Sequence, residues 1–194
     1  MLNCQICGKD KPFAEMPVQS KKKRGYRPYC LECRRKYRAE SGELLREIVR
    51  RYAKANGQRV PLVTEQHLRE VMAEYPNCPY CGVEITDKTR NFDHVYPTSV
   101  KYGGCNIQAN LVCACKTCNS SKYNQHVYTF YQRSKKFTPE LWSEFVKKFY
   151  GRLFRQEITD EGVAVLTESL ASEAEIHQID RKRGEDGDTK KVTA

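Results

Sequence analysis

The amino-acid sequence predicts a small, zinc-stabilised α+β protein, and three observations support this fold class. Four Cys-x2-Cys pairs occur within 194 residues, and paired cysteines at this spacing are typical of structural zinc sites. Apolar residues recur at three- and four-residue intervals in residues 34–55, 64–74 and 138–154, which predicts helices there. Residues 110–114, just before the last cysteine pair, have the pattern of a short strand.

An N-terminal zinc module is predicted in residues 1–40, where 22 residues separate two cysteine pairs: Cys4 and Cys7, then Cys30 and Cys33. The loop between the pairs is strongly basic and interleaved with tyrosines, a combination that suits phosphate contact or base stacking. The alternative is a solvated turn in a purely structural module. On charge density we predict that this module binds DNA. The candidate contacts are Lys21, Lys22, Lys23, Arg24, Arg27, Arg34 and Arg35.

Helices are predicted on both sides of the central segment. Residues 41–75 form a helical connector, with Asn56-Gly57 ending its first helix and Thr64 capping its second. Residues 136–158 form an amphipathic helix that begins at Thr138-Pro139. Its apolar face is expected to pack on its own domain, and a homodimer interface is the alternative. Residues 159–194 are acidic and polar, which predicts a disordered tail.

The net charge of +10 at pH 7 indicates a polyanionic partner. It is concentrated in residues 1–50 (13 basic, 6 acidic) and 101–150 (8 basic, 2 acidic). Phosphate neutralisation supplies most non-specific affinity for nucleic acid, whereas a merely solvated surface is the alternative. No run approaches 18 apolar residues and the N-terminus lacks a secretory pattern, so no membrane association is expected. Paired, metal-binding cysteines fit a reducing, cytoplasmic location.

Residues 78–122 carry most of the chemical information. The pairs Cys78–Cys81 and Cys115–Cys118 bracket an Asp-His pair, a Gly-Gly pair and an asparagine, and a second asparagine follows the last cysteine. Thiolates hold a soft ion such as Zn²⁺, whereas carboxylate, amide and imidazole groups suit a hard divalent ion and a general base. A structural metal clamp around a hydrolytic site points to a nuclease.

At these residues the sequence resembles the HNH endonuclease family, in its four-cysteine, Asp-His subclass. His94 matches the first His of the family motif, Asn110 the middle Asn, and Asn119 the last position, where many relatives have His. The resemblance implies a ββα-metal, treble-clef-like core in residues 76–135. It also implies that zinc on the cysteine pairs closes the base of this core, and that cleavage leaves 5′-phosphate and 3′-hydroxyl ends.

The residue types predict their roles in phosphodiester hydrolysis. A neutral imidazole takes a proton from water near physiological pH, so His94 is the candidate base. Asp93 and Asn119 offer the oxygen ligands that Mg²⁺ or Mn²⁺ prefers, and the resemblance implies the same metal-binding roles. The resemblance also implies that Asn110 pins the loop carrying the base. Lys122 is placed to contact phosphate. The alternative for Asp93-His94 is a hydrogen-bonded structural pair.

Local geometry adds three expectations. Adjacent residues in a regular strand point to opposite faces, so Asp93 and His94 must lie where a strand ends or twists. Asn119 is expected near the N-terminus of a helix, where free N–H groups favour phosphate. His126 is interpreted as a surface residue or a phosphate contact.

The predicted function is a metal-dependent endonuclease that nicks or cuts double-stranded DNA, of the phage, homing or restriction type. It would act in a bacterial or phage-infected cell. One alternative is a non-cleaving, zinc-dependent DNA-binding or packaging-accessory protein with the same fold. Another is a protein directed to RNA, since the charge and aromatic residues would serve either nucleic acid. A homodimer would cut both strands, whereas a monomer would nick.

Overall fold

Each set of four cysteines lies in its own unit of the fold. The computed structural model describes residues 1–19, 25–55, 62–98 and 104–188. The chain divides into Met1–Arg51 and Tyr52–Ala194. Some predicted features lie outside the described residues, namely the basic positions Lys21, Lys22, Lys23 and Arg24, the Asn56-Gly57 helix end, and Gly103.

The first unit is a small zinc-knuckle-like arrangement of short elements. Strands β1 (Leu2–Asn3) and β2 (Asp10–Lys11) pair antiparallel, and a 3-10 turn at Phe13–Glu15 follows. Helix α1 (Leu31–Glu40) begins inside the second cysteine pair, slightly earlier than the sequence predicts. Gly42, with φ +69°, separates α1 from α2 (Glu43–Ala55), whose residues from Tyr52 onward belong to the second unit. Cys4, Met16 and Cys30 form a small buried cluster in this unit, and Leu45 and Ile48 on α2 are also buried.

The second unit begins with a capped helix and a two-stranded sheet. Helix α3 (Glu65–Glu74) is capped by Thr64, whose Oγ1 accepts from the backbone N of His67 at 3.2 Å. His67 Nδ1 accepts from Thr64 N at 3.4 Å in return, which completes a capping box. Strands β3 (Arg90–His94) and β4 (Leu111–Cys115) pair antiparallel. The short helices α4 (Lys116–Lys122) and α5 (Val127–Arg133) follow.

Helix α6 (Pro139–Phe154) supplies an aromatic core to this second unit. Thr138 caps it and Pro139 is its first residue, as the sequence predicts. Trp142, Phe145 and Phe149 are buried, and the rings of Phe145 and Phe149 stack 5.5 Å apart. Most of the apolar face therefore packs on its own domain, as the sequence predicts, whereas Leu153 and Phe154 at its end are exposed.

The predicted disordered tail is wrong for much of its length, because helix α7 runs from Asp160 to Asp188. Leu170 and Ala174, four residues apart on one face, are buried. Trp142 Nε1 donates to Thr167 Oγ1 at 2.9 Å, which joins α6 to α7. A few apolar positions thus suffice to dock an otherwise acidic helix. Within the described ranges, no helix combines the length and apolar character needed to cross a membrane.

Candidate active site and metal centres

The two cysteine sets have the geometry of structural zinc sites. In each set the four sulfur atoms lie within 4.8 Å of one another. Cys4 Sγ and Cys33 Sγ are 3.8 Å apart, and Cys81 Sγ and Cys115 Sγ are 3.9 Å apart. A tetrahedral zinc ion with bonds of about 2.3 Å places its sulfur ligands about 3.8 Å apart. Both predicted sets are therefore assembled, and both fit the ion.

Backbone N–H groups point at the sulfurs and favour their thiolate forms. The N–H groups of the Cys7 and Cys30 backbone help to lower the pKa of Cys4 to about 6. The pKa of Cys78 falls to about 5, chiefly through its hydrogen bond with the Cys118 side chain. Burial, by contrast, raises the pKa of Cys33 to about 12. Several thiolates crowded together need a cation among them, which is the condition that Zn²⁺ satisfies.

A cleft of about 330 Å³ lies beside the end of β3 and the helix α4. Asp93, His94 and Asn119 all line it, so the structure brings together the predicted base and the predicted metal ligands. Asn119 is in the middle of α4, not near the N-terminus of a longer helix as the sequence predicts. The remaining lining residues are Phe92, Pro97, Thr98, Ser120, Tyr123 and Asn124.

Asp93 is held from two sides by buried partners. Tyr80 Oη donates to Asp93 Oδ2 at 2.6 Å, and Lys122 Nζ lies 3.2 Å from the same oxygen and 3.3 Å from Oδ1. The pKa of Tyr80 is raised well above its usual value, first by burial and then by the Asp93 charge. Tyr80 therefore stays protonated and acts as a hydrogen-bond donor. Together the two partners fix the orientation of the carboxylate.

Lys122 lies in the interior and not where it could contact phosphate, which corrects the sequence prediction. Its side chain is fully buried, and Nζ donates to the backbone oxygen of His94 at 2.7 Å as well as to Asp93. The side chain runs from the end of α4 beneath β3. Lys122 is thus a link between the helix and the strand that carries the candidate base.

The adjacent pair Asp93-His94 is accommodated at the end of a strand. Asp93 lies opposite Val112 and its side chain is buried, whereas His94 is the last residue of β3 and is half-buried. The ring of Tyr52, from α2, lies 5.1 Å from the His94 ring at an angle of 60°. Both side chains line the cleft because the strand ends there, as the sequence predicts.

Asn110 fastens the loop that follows the candidate base. Its Oδ1 accepts from Tyr96 N at 2.8 Å, and its Nδ2 donates to the backbone oxygens of Tyr96 and Cys105 at 2.8 and 3.0 Å. Gly104 lies against the same loop. A Cβ built there would lie 2.1 Å from the Tyr96 backbone oxygen, so a larger residue would not fit. Asn110 lies outside the residues lining the cleft, so it is a positioning residue and not a catalytic one.

Three tyrosines around the cleft are not identifiable as site residues from the sequence. Tyr80 and Tyr52 reach the site only through tertiary packing. Tyr123, directly after Lys122, is 74% exposed at the cleft rim and has φ +48°. A non-glycine residue in this conformation costs about 1–3 kcal/mol, and such strain clusters at functional sites. The only sequence signal is closeness in the chain to predicted site residues: Tyr80 lies between Cys78 and Cys81, and Tyr123 directly follows Lys122.

The cleft fits a hard divalent ion by the chemistry of its donors. The Asp93 carboxylate, the Asn119 amide and the nearby hydroxyl of Ser120 provide oxygen, which Mg²⁺ and Mn²⁺ prefer. None of the described residues that line this cleft is a cysteine. An ion bound to Asp93 would share that carboxylate with the Lys122 ammonium.

In the first unit, part of the predicted DNA-contact surface forms a second cleft of about 400 Å³. Arg27 and Arg34 line it together with the rings of Tyr29 and Tyr37. Arg35 is exposed on α1 but does not line this cleft. Positive charge beside aromatic faces suits a nucleic-acid backbone with neighbouring bases.

His126 is neither a surface residue nor a phosphate contact. It is only 4% exposed and caps α5, with Nδ1 accepting from Tyr128 N at 3.2 Å. Its Nε2 faces Glu173 on α7. The structure thus places this histidine in a cluster of its own.

Comparison with known proteins agrees with the geometry. Residues 78–135 match the family model described as HNH endonuclease, and this segment is an HNH endonuclease domain. The CRISPR-associated endonuclease Cas9 of Corynebacterium diphtheriae is 38% identical over 56 residues, which are 29% of this chain and 5% of that protein.

A solved structure, the Type II-C Cas9 enzyme from Actinomyces naeslundii, aligns with a TM-score of 0.35 and 21% identity. The alignment covers 72% of this chain and 16% of that one. The chain therefore spans a small part of the length of both Cas9 proteins that it matches.

Proposed function

We propose that this protein is a metal-dependent endonuclease that hydrolyses phosphodiester bonds in double-stranded DNA. In this proposal β3, β4 and α4 are the ββα-metal core. The observation that carries the proposal is the meeting of Asp93, His94 and Asn119 on one cleft inside the HNH domain. Their side chains are those required to activate water and to bind a hard divalent ion.

The mechanism assigns one role to each part of the site. His94 takes a proton from a water molecule, whose oxygen then attacks the phosphorus of a bound phosphodiester. Asp93 and Asn119 hold Mg²⁺ or Mn²⁺, which when bound offsets the negative charge on the phosphate and on the leaving 3′ oxygen. Lys122 and Tyr80 keep Asp93 oriented, and the leaving oxygen takes its proton from solvent.

The N-terminal unit is proposed to hold the DNA. Its cleft of arginines and tyrosines and the exposed Arg35 support this role, as does the net positive charge of residues 1–50. A zinc module ahead of a small nuclease domain fits a homing or restriction type from a phage or mobile element, acting in the cytoplasm of its host. One catalytic cleft per chain fits nicking by a monomer, and a homodimer would cut both strands.

Cleavage of supercoiled plasmid with Mg²⁺ tests the proposal. Wild type is expected to give nicked or linear DNA, and His94→Ala with equal zinc content is expected to be inactive. His67→Ala, which changes a histidine outside the cleft, is the matched control and should cut like wild type. Equal cleavage by wild type and His94→Ala would rule out His94 as the base.

If wild type and His94→Ala bind DNA but neither cuts any of several sequences, the non-cleaving alternative is favoured. Competition between duplex DNA and RNA of the same sequence tests the nucleic-acid class. Stronger binding to RNA would contradict the proposed substrate.

A further inference from the structure

Three potential metal ligands meet where α7 crosses the start of α5. Glu173 and His177 are four residues apart and so share one face of α7. His126 Nε2 lies 3.5 Å from Glu173 Oε2, and His177 Nε2 lies 3.6 Å from Glu173 Oε1. All three ligand atoms are within 4.8 Å of one another. The two imidazole rings lie 5.4 Å apart with an angle of 27° between them.

Nε2 of His126, the most buried member of this cluster, lacks an ordinary hydrogen bond to the described residues. The His126 side chain is 2% exposed, and its Nε2 makes no hydrogen bond of normal geometry with the residues that the structure describes. At 3.5 Å, the Glu173 oxygen is too far for a good N–H···O bond. That separation is close to the roughly 3.4 Å between two ligands of a tetrahedral ion with bonds of about 2.0–2.1 Å.

We propose that His126, Glu173 and His177 bind a transition-metal ion, with Zn²⁺ as the best fit, at a third site separate from both cysteine sets and from the cleft. Two imidazoles and one carboxylate select Zn²⁺, Co²⁺ or Ni²⁺ over Mg²⁺ and Ca²⁺. Glu173 and His177 are partly exposed, so water completes the coordination from the solvent side. The ion fastens α7 to the start of α5.

Metal binding changes the tautomer of one histidine. Nδ1 of His126 accepts from Tyr128 N, so in the metal-free protein the imidazole proton lies on Nε2. Coordination through Nε2 moves that proton to Nδ1 by exchange with solvent, with no net release from His126. The capping bond to Tyr128 is thereby exchanged for the metal bond. A neutral His126 that faced Glu173 through Nε2–H, without metal, would leave the capping bond intact.

This difference allows a sharp choice of variants. Asparagine is among the best N-cap residues, so His126→Asn keeps the cap of α5 while it removes the buried ligand. Glu173→Gln and His177→Gln change the other two ligands on a partly exposed face. His67→Asn alters a histidine on α3, far along the chain from the cluster, and serves as the control.

The test is a count of bound zinc per folded full-length chain. Protein stripped of loosely bound metal is titrated with Zn²⁺ in excess Mg²⁺, which keeps the cleft occupied, and metal is measured by mass spectrometry. Wild type and His67→Asn are expected to hold three zinc ions. The three cluster variants are expected to hold two.

A second readout guards against misfolding of a variant. The melting temperature of wild type should rise with zinc beyond two equivalents, because an ion that binds only the folded state stabilises it. The cluster variants should show no such rise. Two zinc ions in wild type would overturn the proposal, and so would three in every cluster variant.

Discussion

At the scale of single residues, the structure ties a structural metal site to the candidate active site through one side chain. Tyr80 lies between Cys78 and Cys81 and donates its hydroxyl to Asp93. Its ring is fully buried among Phe130, Phe137 and Phe145. The position of the Asp93 carboxylate thus depends on Tyr80, which lies between two cysteines of the second set.

Tyr80→Phe tests this dependence. Asp93 loses its shortest hydrogen bond, which should lower the free energy of unfolding by about 1–3 kcal/mol. The Mg²⁺ concentration needed for cleavage should rise, while zinc content stays unchanged. Tyr131→Phe is the matched control, since that ring also packs in the aromatic core but does not contact Asp93. Unchanged stability and Mg²⁺ dependence in Tyr80→Phe would contradict the role.

Lys122 offers a second test, because a buried link to Asp93 and a phosphate contact predict different results for its substitution. Removal of one partner from a buried ion pair typically costs about 3–5 kcal/mol. Lys122→Met should therefore unfold at markedly lower denaturant concentration than wild type. A phosphate-contacting lysine would instead leave stability unchanged and weaken DNA affinity. Chemical denaturation and DNA binding at a temperature where the variant is folded distinguish the two.

Sequence reasoning found Asp93, His94 and Asn119 because their order and spacing match a compact motif. It did not find Tyr80 or the burial of Lys122. Tyr80 lies between two cysteines and Lys122 at the end of α4, and both meet Asp93 through tertiary contacts that leave no local pattern in the chain.

At the scale of elements, α7 shows how composition misleads. Its residues are mostly acidic and polar, as in a disordered segment, yet Leu170 and Ala174 bury one face and Thr167 bonds with Trp142. Helices α3 and α6 were predictable because their caps and apolar stripes are explicit, as at Thr64 and Thr138. Docking of α7 depends instead on a partner surface that α5 and α6 provide.

Truncation after residue 159 should therefore disturb the core. Trp142 is the only tryptophan and is 4% exposed, so it reports on the α6–α7 contact. The truncated protein is expected to show red-shifted tryptophan emission and a lower melting temperature. Truncation after residue 177, which keeps the buried face of α7, should leave the emission as in wild type. Identical emission from both truncated forms would show that α7 does not pack on Trp142.

At the scale of the whole molecule, the two units differ in how much they depend on metal. Around its cysteine set, the first has a small buried cluster of Cys4, Met16 and Cys30, two of which are cysteines. The second adds an aromatic core around α6. Small domains without a sufficient apolar core rely on metal for their stability.

Cys33→Ser should therefore affect one unit and spare the other. The variant is expected to lose one zinc ion and to weaken DNA binding, while Trp142 stays buried and its emission unchanged. Cys118→Ser, in the second set, should disturb the cleft and abolish cleavage. Metal analysis with fluorescence on both variants checks this, and a shifted tryptophan emission in Cys33→Ser would contradict independent units.

The contact between Tyr80 and Asp93 also links the candidate active site to the chemical state of two cysteines. An oxidant that joins the Cys78 and Cys81 thiolates in a disulfide removes two ligands from the zinc they would hold. The disulfide would also move Tyr80 out of its packed position. The carboxylate would then lose its donor although no active-site residue had itself reacted. In the proposed nuclease, cleavage would then depend on the oxidation state of two cysteines that do not line the cleft.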